Sequence, residues 1–277
     1  MIDYIWLSGD FSQAEARVVA WAGPVPALKT WFKTGEDVHL NVAKMIGKVV
    51  QEAKLALSQN LFMNKSYKDL VKSDPERQLA KNTVHGNNYG LGKNKFALLT
   101  GLPIKHAEMV QNIYHGLFPE IKQGYQRWIE TCLRKDRTLT TPLGRRKIFY
   151  GIISDDMLRA GYAYYPQSTV GDLLVRLLCD TCEAFSPNDP FHISFDGLYK
   201  GLATPEAIRA RGFDVRMQLH DNINVIIPND PDSIRYAYTT IKKLAGVTMI
   251  INGDPLVIPM DFKIGKTLAK RDLVDYP

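Results

Sequence analysis

Cysteine is scarce in this chain, and it has neither a long apolar run nor charge of one dominant sign. Three cysteines among 277 residues, Cys132, Cys179 and Cys182, cannot build a disulfide framework. Cys179-Asp180-Thr181-Cys182 has the spacing of half a zinc site, but no second ligand pair accompanies it. The two thiols read either as that half-site or as ordinary residues of a helix over Leu173 to Phe185. The longest apolar stretches, such as Val247 to Ile251 and Val225 to Ile227, fall far short of the ~20 residues that span a bilayer. No basic segment followed by an apolar run opens the chain, so a cytoplasmic or other reducing compartment is expected. Internal repeats and low-complexity tracts are absent as well.

The chain does have enough hydrophobic content, 45%, for a sizeable core in one large domain or two smaller ones. A formal charge of +6 and a pI near 9.0 suit a polyanionic partner without requiring one. Ile2 to Ser8 is a short apolar run closed by Gly9-Asp10. Ser12-Gln13-Ala14-Glu15 and an Ala/Val-rich stretch follow, which is the pattern of strand, turn and capped helix. From about Ala27 to Asp136 the period is helical, broken at Thr34-Gly35, Ser73-Asp74-Pro75, Gly90-Leu91-Gly92 and Gly101-Leu102-Pro103. Thr138 to Tyr150 predicts a hairpin around Pro142-Leu143-Gly144, and a helix is expected from about Gln167 to Phe185. Between Val215 and Ile227 the odd positions Met217, Leu219, Ile223, Val225 and Ile227 are apolar, with His220-Asp221-Asn222 interrupting the run. That alternation predicts a hairpin bent at His220-Asp221. Sheet elements at both ends around a helical block imply an α+β fold, one discontinuous domain carrying a helical insertion.

Two constellations could carry chemistry. Asp10 closes one expected strand and Asp221 sits at the bend of another. Either alone is a turn residue or helix cap as readily as a ligand. Together on neighbouring strands they would suit Mg²⁺, which prefers one or two carboxylates plus substrate phosphates. The second is Arg77-x3-Lys81-x3-His85-Gly86-x2-Tyr89-Gly90, whose four-residue spacing keeps cations and rings on one helical stripe. At 1.5 Å rise per residue the stripe covers about 18 Å, enough to flank a nucleoside triphosphate, although such stripes are also ordinary solvated faces. Gly86 and Gly90 suggest that something approaches the helix closely there. Gly265-Lys266-Thr267 lacks the first glycine of a phosphate loop, and Gly90-Leu91-Gly92 lacks the third glycine of a dinucleotide fingerprint.

Asp10-Phe11-Ser12-Gln13-Ala14-Glu15-Ala16-Arg17 resembles the first catalytic motif of family A (bacterial polymerase I-like) DNA polymerases. The Arg77–Gly90 stripe resembles the family's fingers signature, and Leu219-His220-Asp221 its third motif. Gly35-Glu36-Asp37-Val38-His39, Thr141-Pro142-Leu143-Gly144-Arg145-Arg146, and Arg159 followed by Pro166-Gln167-Ser168-Thr169 are similar in kind and in order, so the resemblance covers essentially the whole chain.

The resemblance implies a discontinuous palm with an antiparallel sheet at 1–24 and 156–277, with a largely helical fingers insertion at 25–155. Asp10, Asp221 and the backbone carbonyl of Phe11 would hold two Mg²⁺ ions, with Mn²⁺ able to substitute. Arg77, Lys81, His85, Tyr89, Glu15, His39 and Gln13 would bind the incoming dNTP, with Lys81 also a proton donor to the leaving pyrophosphate. Arg17, Arg145, Arg146, Arg159, Gln167 and His220 would touch primer-template DNA. Glu15 has two readings, the last residue of a Ser-x-x-Glu capping box or the family's steric gate against ribonucleotides, and the gate is preferred.

The chain departs from the family pattern at three positions. His85 stands where Phe or Tyr is usual, Asn222 replaces the Glu after the catalytic Asp, and Ala163 replaces an Asn that contacts nucleic acid. The resemblance also implies that thumb and exonuclease domains, which precede the palm in family members, are absent. A second polypeptide supplying the thumb and the rest of the palm, with or without a 3′-5′ exonuclease, is therefore expected, a truncated fragment being the alternative. An incomplete palm predicts an exposed strand edge at the N-terminus. The setting implied is a bacterial or phage-infected cell. Competing readings are a fragment of a single-subunit phage-type RNA polymerase, against which Glu15 argues, and a catalytically silent nucleic-acid-binding relic.

Overall fold

Alternation of apolar and polar residues builds one half of the molecule and helical periodicity the other. The computed structural model describes residues 3–57, 61–185 and 213–277, so the expected strand start at Ile2 lies outside them. The fold is α+β, and the chain divides into two units: 1–14 with 168–250 and 255–277, and 15–167 with 251–254.

In the first unit, strand β1 (Tyr4–Phe11) lies at the centre of a five-stranded antiparallel sheet. Its neighbours are β5 (Asn222–Pro228), which pairs outward with β4 (Asp214–Leu219), and β8 (Met260–Gly265), which pairs outward with β9 (Val274–Tyr276). The exposed N-terminal edge expected from the sequence is therefore not found. Both edges of β1 are hydrogen-bonded, and the sheet ends instead on β4 and β9. Helix α9 (Pro231–Ala245) begins on Asp230, whose carboxylate accepts from the Asp232 and Ser233 amides, and it packs on the sheet through buried Ala237, Ile241 and Leu244.

The β4–β5 hairpin forms where the alternation predicts it, but one parity changes across the bend. A two-residue turn sets Leu219 opposite Asn222 and Met217 opposite Asn224. From Met217 to Leu219 the odd residues of β4 therefore share a face with even residues of β5, until a register shift between Val215 and Met217 sets Val215 opposite Val225. Ile223, Val225 and Ile227 enter the core with Leu7 and Phe11, while Met217 and Leu219 stay exposed on the other face.

In the second unit, helices α1 (Ala14–Ala22), α2 (Pro26–Thr34), α3 (Val38–Glu52), α4 (Pro75–Asn88), α5 (Lys93–Thr100), α6 (Ile104–Leu117) and α7 (Arg127–Asp136) follow one another. The breaks between α2 and α3, before α4, and between α4, α5 and α6 fall at the sequence interruptions named above. Val42, Ile46, Val84, Phe96, Tyr114, Ile121 and Ile129 form its core. The short hairpin of β2 (Thr138–Thr140) and β3 (Arg146–Ile148) follows α7, and a further two-stranded sheet pairs β6 (Thr248–Ile251) with β7 (Asp254–Val257). No described helix is long and apolar enough to cross a membrane.

Helix α8 runs from Asp155 to Phe185, with Pro166 in its interior, rather than starting near Gln167. Proline removes the amide that would bond the carbonyl four residues back, at Tyr162. Tyr125 repairs this loss: its buried hydroxyl donates to the Tyr162 carbonyl at 2.5 Å. That long-range partner is what the local proline rule cannot foresee. Tyr125→Phe leaves the carbonyl unpaired and is expected to cost about 1–3 kcal/mol. A thermal melt reads this as a midpoint lowered by several degrees, and an unchanged midpoint would mean the carbonyl finds another partner.

Candidate active site

The end of β1 carries the first cluster. Asp10 pairs across the sheet with Asn222 on β5 and Asp261 on β8, so all three side chains lie on the face opposite the core. Asp221 occupies the tight turn into β5, where His220 takes the left-handed conformation (φ 56°). The Asp221 carbonyl accepts from the Phe11 amide at 3.1 Å, which ties the turn to the end of β1. The Asp221 carboxyl is a near neighbour of the Asp10 carboxyl. Loss of hydration, Asp221 and then Asp261 push the Asp10 carboxyl up to about 7, with Lys263 acting the other way.

Asn222 does not lean toward this pair. Its amide donates to Ser8 Oγ at 2.9 Å, a cross-strand bond that a glutamate could not donate. Asp261 was not singled out by sequence reasoning, because only the β1–β8 register sets it opposite Asp10. Among the described residues no three His, Cys, Asp or Glu side chains form a ready metal cage, and Cys132, Cys179 and Cys182 are not joined in disulfides. Two carboxylates beside a backbone oxygen nevertheless fit Mg²⁺, whose shell is normally completed by water and substrate. Gln13, next along the chain, has a strained backbone (φ 50°) and a buried Oε1 with no partner.

The second cluster lies on α4 and its surroundings within the helical unit. Tyr89, at the C-terminal end of α4, donates a short hydrogen bond to Glu15 on α1. His85 Nδ1 lies 4.0 Å from the same carboxylate oxygen, and its ring packs on that of His39, centroids 5.8 Å apart. His39 is only 3% exposed; burial, then His85, lower its pKa to about 3, so it is a neutral imidazole at any ordinary pH. The capping-box reading of Glu15 loses its amide, because Ser12 N–H donates to the Pro259 carbonyl at 2.9 Å. Arg77 is half-buried, and Lys81, one turn on, is exposed.

Tyr89 is held in place by residues the sequence did not flag. Gln126 donates to the Asn87 and Asn88 carbonyls at 2.7 and 3.2 Å, closing the end of α4, and Tyr114 donates to Asn88 Oδ1 at 2.9 Å. The two glycines of the stripe answer to packing rather than to an approaching ligand. A Cβ on Gly86 would sit 3.2 Å from Leu91 inside the core, and Gly90 is left-handed (φ 68°) with the Tyr162 ring 3.1 Å from where a Cβ would be.

The expected DNA-contacting residues fall into two groups. Arg145 and Arg146 on the β2–β3 hairpin, Gln167 and His220 are exposed. Arg159, paired with Asp156 at 2.7 Å, lines an open cavity of about 570 Å³ with Asn87, Gly90 and Tyr162. Arg17 differs: it is 7% exposed, its guanidinium donates to the Phe32 carbonyl at 3.3 Å and lies 4.4 Å over the Phe32 ring. Ala163 is half-buried on α8.

A sequence model described as DNA polymerase family A matches residues 2–265. DNA polymerase I of Helicobacter pylori strain J99 is 28% identical over 67% of this chain and 19% of its own length. The thermostable DNA polymerase I of Thermus filiformis is 24% identical over 95% of this chain and 26% of its own length, and the DNA polymerase of Mycobacterium phage D29 is 26% identical over 83% and 34%. The chain thus spans about a fifth to a third of the length of these relatives. The POL domain of Pol1 from M. smegmatis, solved in complex with DNA primer-template and dNTP, has a like fold. Its TM-score is 0.68 at 19% identity, over 94% of this chain and 39% of that one.

Proposed function

The chain belongs to DNA polymerase family A, and on that premise we propose that it carries the nucleotidyl-transfer centre of a template-directed DNA polymerase, adding deoxynucleotides to a primer 3′-hydroxyl. The observation that carries this reading is the neighbouring pair of carboxyls, Asp10 and Asp221, brought together from distant parts of the chain where the Phe11 amide bonds the Asp221 carbonyl. The sheet unit is read as palm and the helical unit as fingers.

Asp10, Asp221 and the Phe11 carbonyl are the oxygens that would hold two Mg²⁺ ions. When bound, these ions supply positive charge that acidifies the primer hydroxyl and neutralises the departing pyrophosphate. The chain's own residues do the rest. Arg77 and Lys81 bind the triphosphate, Lys81 protonates the leaving group, and neutral His39 acts as a hydrogen-bonding ring rather than a charge. Glu15, oriented by Tyr89, occupies the space of a ribose 2′-hydroxyl, with His85 and Gln13 beside the nucleotide. Arg145, Arg146, Arg159, Gln167 and His220 grip primer and template through backbone atoms, where shape rather than sequence is read. Arg17 is left out of that set, because its charge is buried on Phe32.

The test is extension of a labelled primer by the purified chain with dNTPs. Extension is expected to require Mg²⁺, to stop with a chelator and to resume with Mg²⁺ or Mn²⁺. Template binding without extension under any metal would support the silent relic instead.

A further inference from the structure

Arg77 stands in the first turn of α4, where the helix dipole disfavours a cation. A guanidinium there needs an anion behind it, and the structure supplies one. Asp37 Oδ2 accepts from Arg77 Nε at 3.0 Å and from Nη2 at 2.8 Å. The other oxygen, Oδ1, accepts from the Leu40 amide at 2.9 Å and so caps α3. Both oxygens of this carboxylate are therefore committed, and its side chain is only 12% exposed. Burial works to raise the Asp37 carboxyl, but the Arg77 and Leu40 hydrogen bonds outweigh it and hold it below the usual range.

We infer that Asp37 is a positioning residue for triphosphate binding: it fixes the Nε/Nη2 edge of Arg77 so that the remaining donors face the phosphates in one orientation. The inference rests on the phosphate-binding role proposed for Arg77. The opposite reading, in which Asp37 competes with phosphate for Arg77, fits the geometry less well. A competitor must let go, whereas this carboxylate is anchored to α3 and engages one edge of the guanidinium. Nη1 makes no hydrogen bond among the described residues, so binding does not require the ion pair to break. The same cap sets the start of α3 two residues before His39, whose buried Nδ1 has no partner.

The two readings predict opposite signs. Removing a negative charge beside an anion site tightens anion binding if Asp37 is a mere counter-charge, and weakens it if Asp37 aims the arginine. Calorimetric titration of inorganic tripolyphosphate into the purified chain separates them without requiring catalysis. Asn has one acceptor oxygen where the carboxylate uses two, so with that oxygen on the Leu40 amide Asp37→Asn keeps α3 capped but withdraws the acceptor from Arg77, and a cooperative thermal melt is expected to persist. If Arg77→Ala weakens tripolyphosphate about 30-fold, Asp37→Asn is expected to weaken it about fivefold, because the arginine keeps its charge but loses the acceptor that orients it. Asp37→Glu keeps the charge but displaces it by a methylene, and it too is expected to weaken binding.

Affinity unchanged or improved in both Asp37 variants, with Arg77→Ala weakened, overturns the inference alone. Equal affinity of Arg77→Ala and the parent, or no binding by the parent, overturns the phosphate role of Arg77 and the inference with it.

Discussion

Asp221→Asn is expected to abolish primer extension while leaving duplex DNA binding intact. The substitution keeps side-chain size, and the backbone carbonyl that accepts from Phe11 is untouched, so the hairpin turn persists. An amide can also donate to the neighbouring Asp10 carboxylate. What is lost is one of the two anionic donors in the sheet's oxygen cluster. Removing an outer-shell partner of a metal typically costs about 10–100-fold, so loss of a direct ligand is expected to cost about 10³-fold or more in kcat. A rise in the Mg²⁺ concentration needed for residual activity accompanies the loss. Fluorescence anisotropy with labelled primer-template measures the binding arm. Extension within tenfold of the parent would remove Asp221 from the metal shell and leave Asp261 as the carboxylate to examine.

Glu15→Ala is expected to admit ribonucleotides. Glu15 is held from α4 by the Tyr89 hydroxyl, and a carboxylate so fixed cannot swing aside for a 2′-hydroxyl. Truncation opens that space, and discrimination measured as the ratio of kcat/KM for dNTP over rNTP is expected to fall on the order of 10²-fold. Tyr89→Phe, which frees Glu15 without removing it, is expected to fall between. An unchanged ratio in Glu15→Ala would refute the gate and revive the RNA polymerase reading, in which that space is already open. His85 makes this test informative for the present chain, because its imidazole approaches the same carboxylate oxygen that Tyr89 engages.

Much of this was legible in the residues themselves. The helical stripe from Arg77 to Tyr89 follows from spacing alone, because 3.6 residues per turn places every fourth side chain on one face. The β4–β5 hairpin is legible for a similar reason, since a period of two survives in any half-buried strand. The early start of α8 at Asp155 was not legible, because the Tyr125 hydroxyl that supports the helix ahead of Pro166 comes from another element. At Gly86 the sequence shows that something approaches closely, and only the fold shows that Leu91 and Phe96 do so.

By itself, the sequence determined the order of elements, the α+β class and which candidate side chains could carry chemistry, because these depend on short-range periodicity and residue type. Tertiary structure alone decided which of them meet. Asp10 opposite Asp261, Asn222 turned to Ser8, and Asp37 behind Arg77 depend on strand register and helix packing. Those contacts join residues tens to hundreds of positions apart, and a register slip of one residue would send every side chain of a strand to the other face.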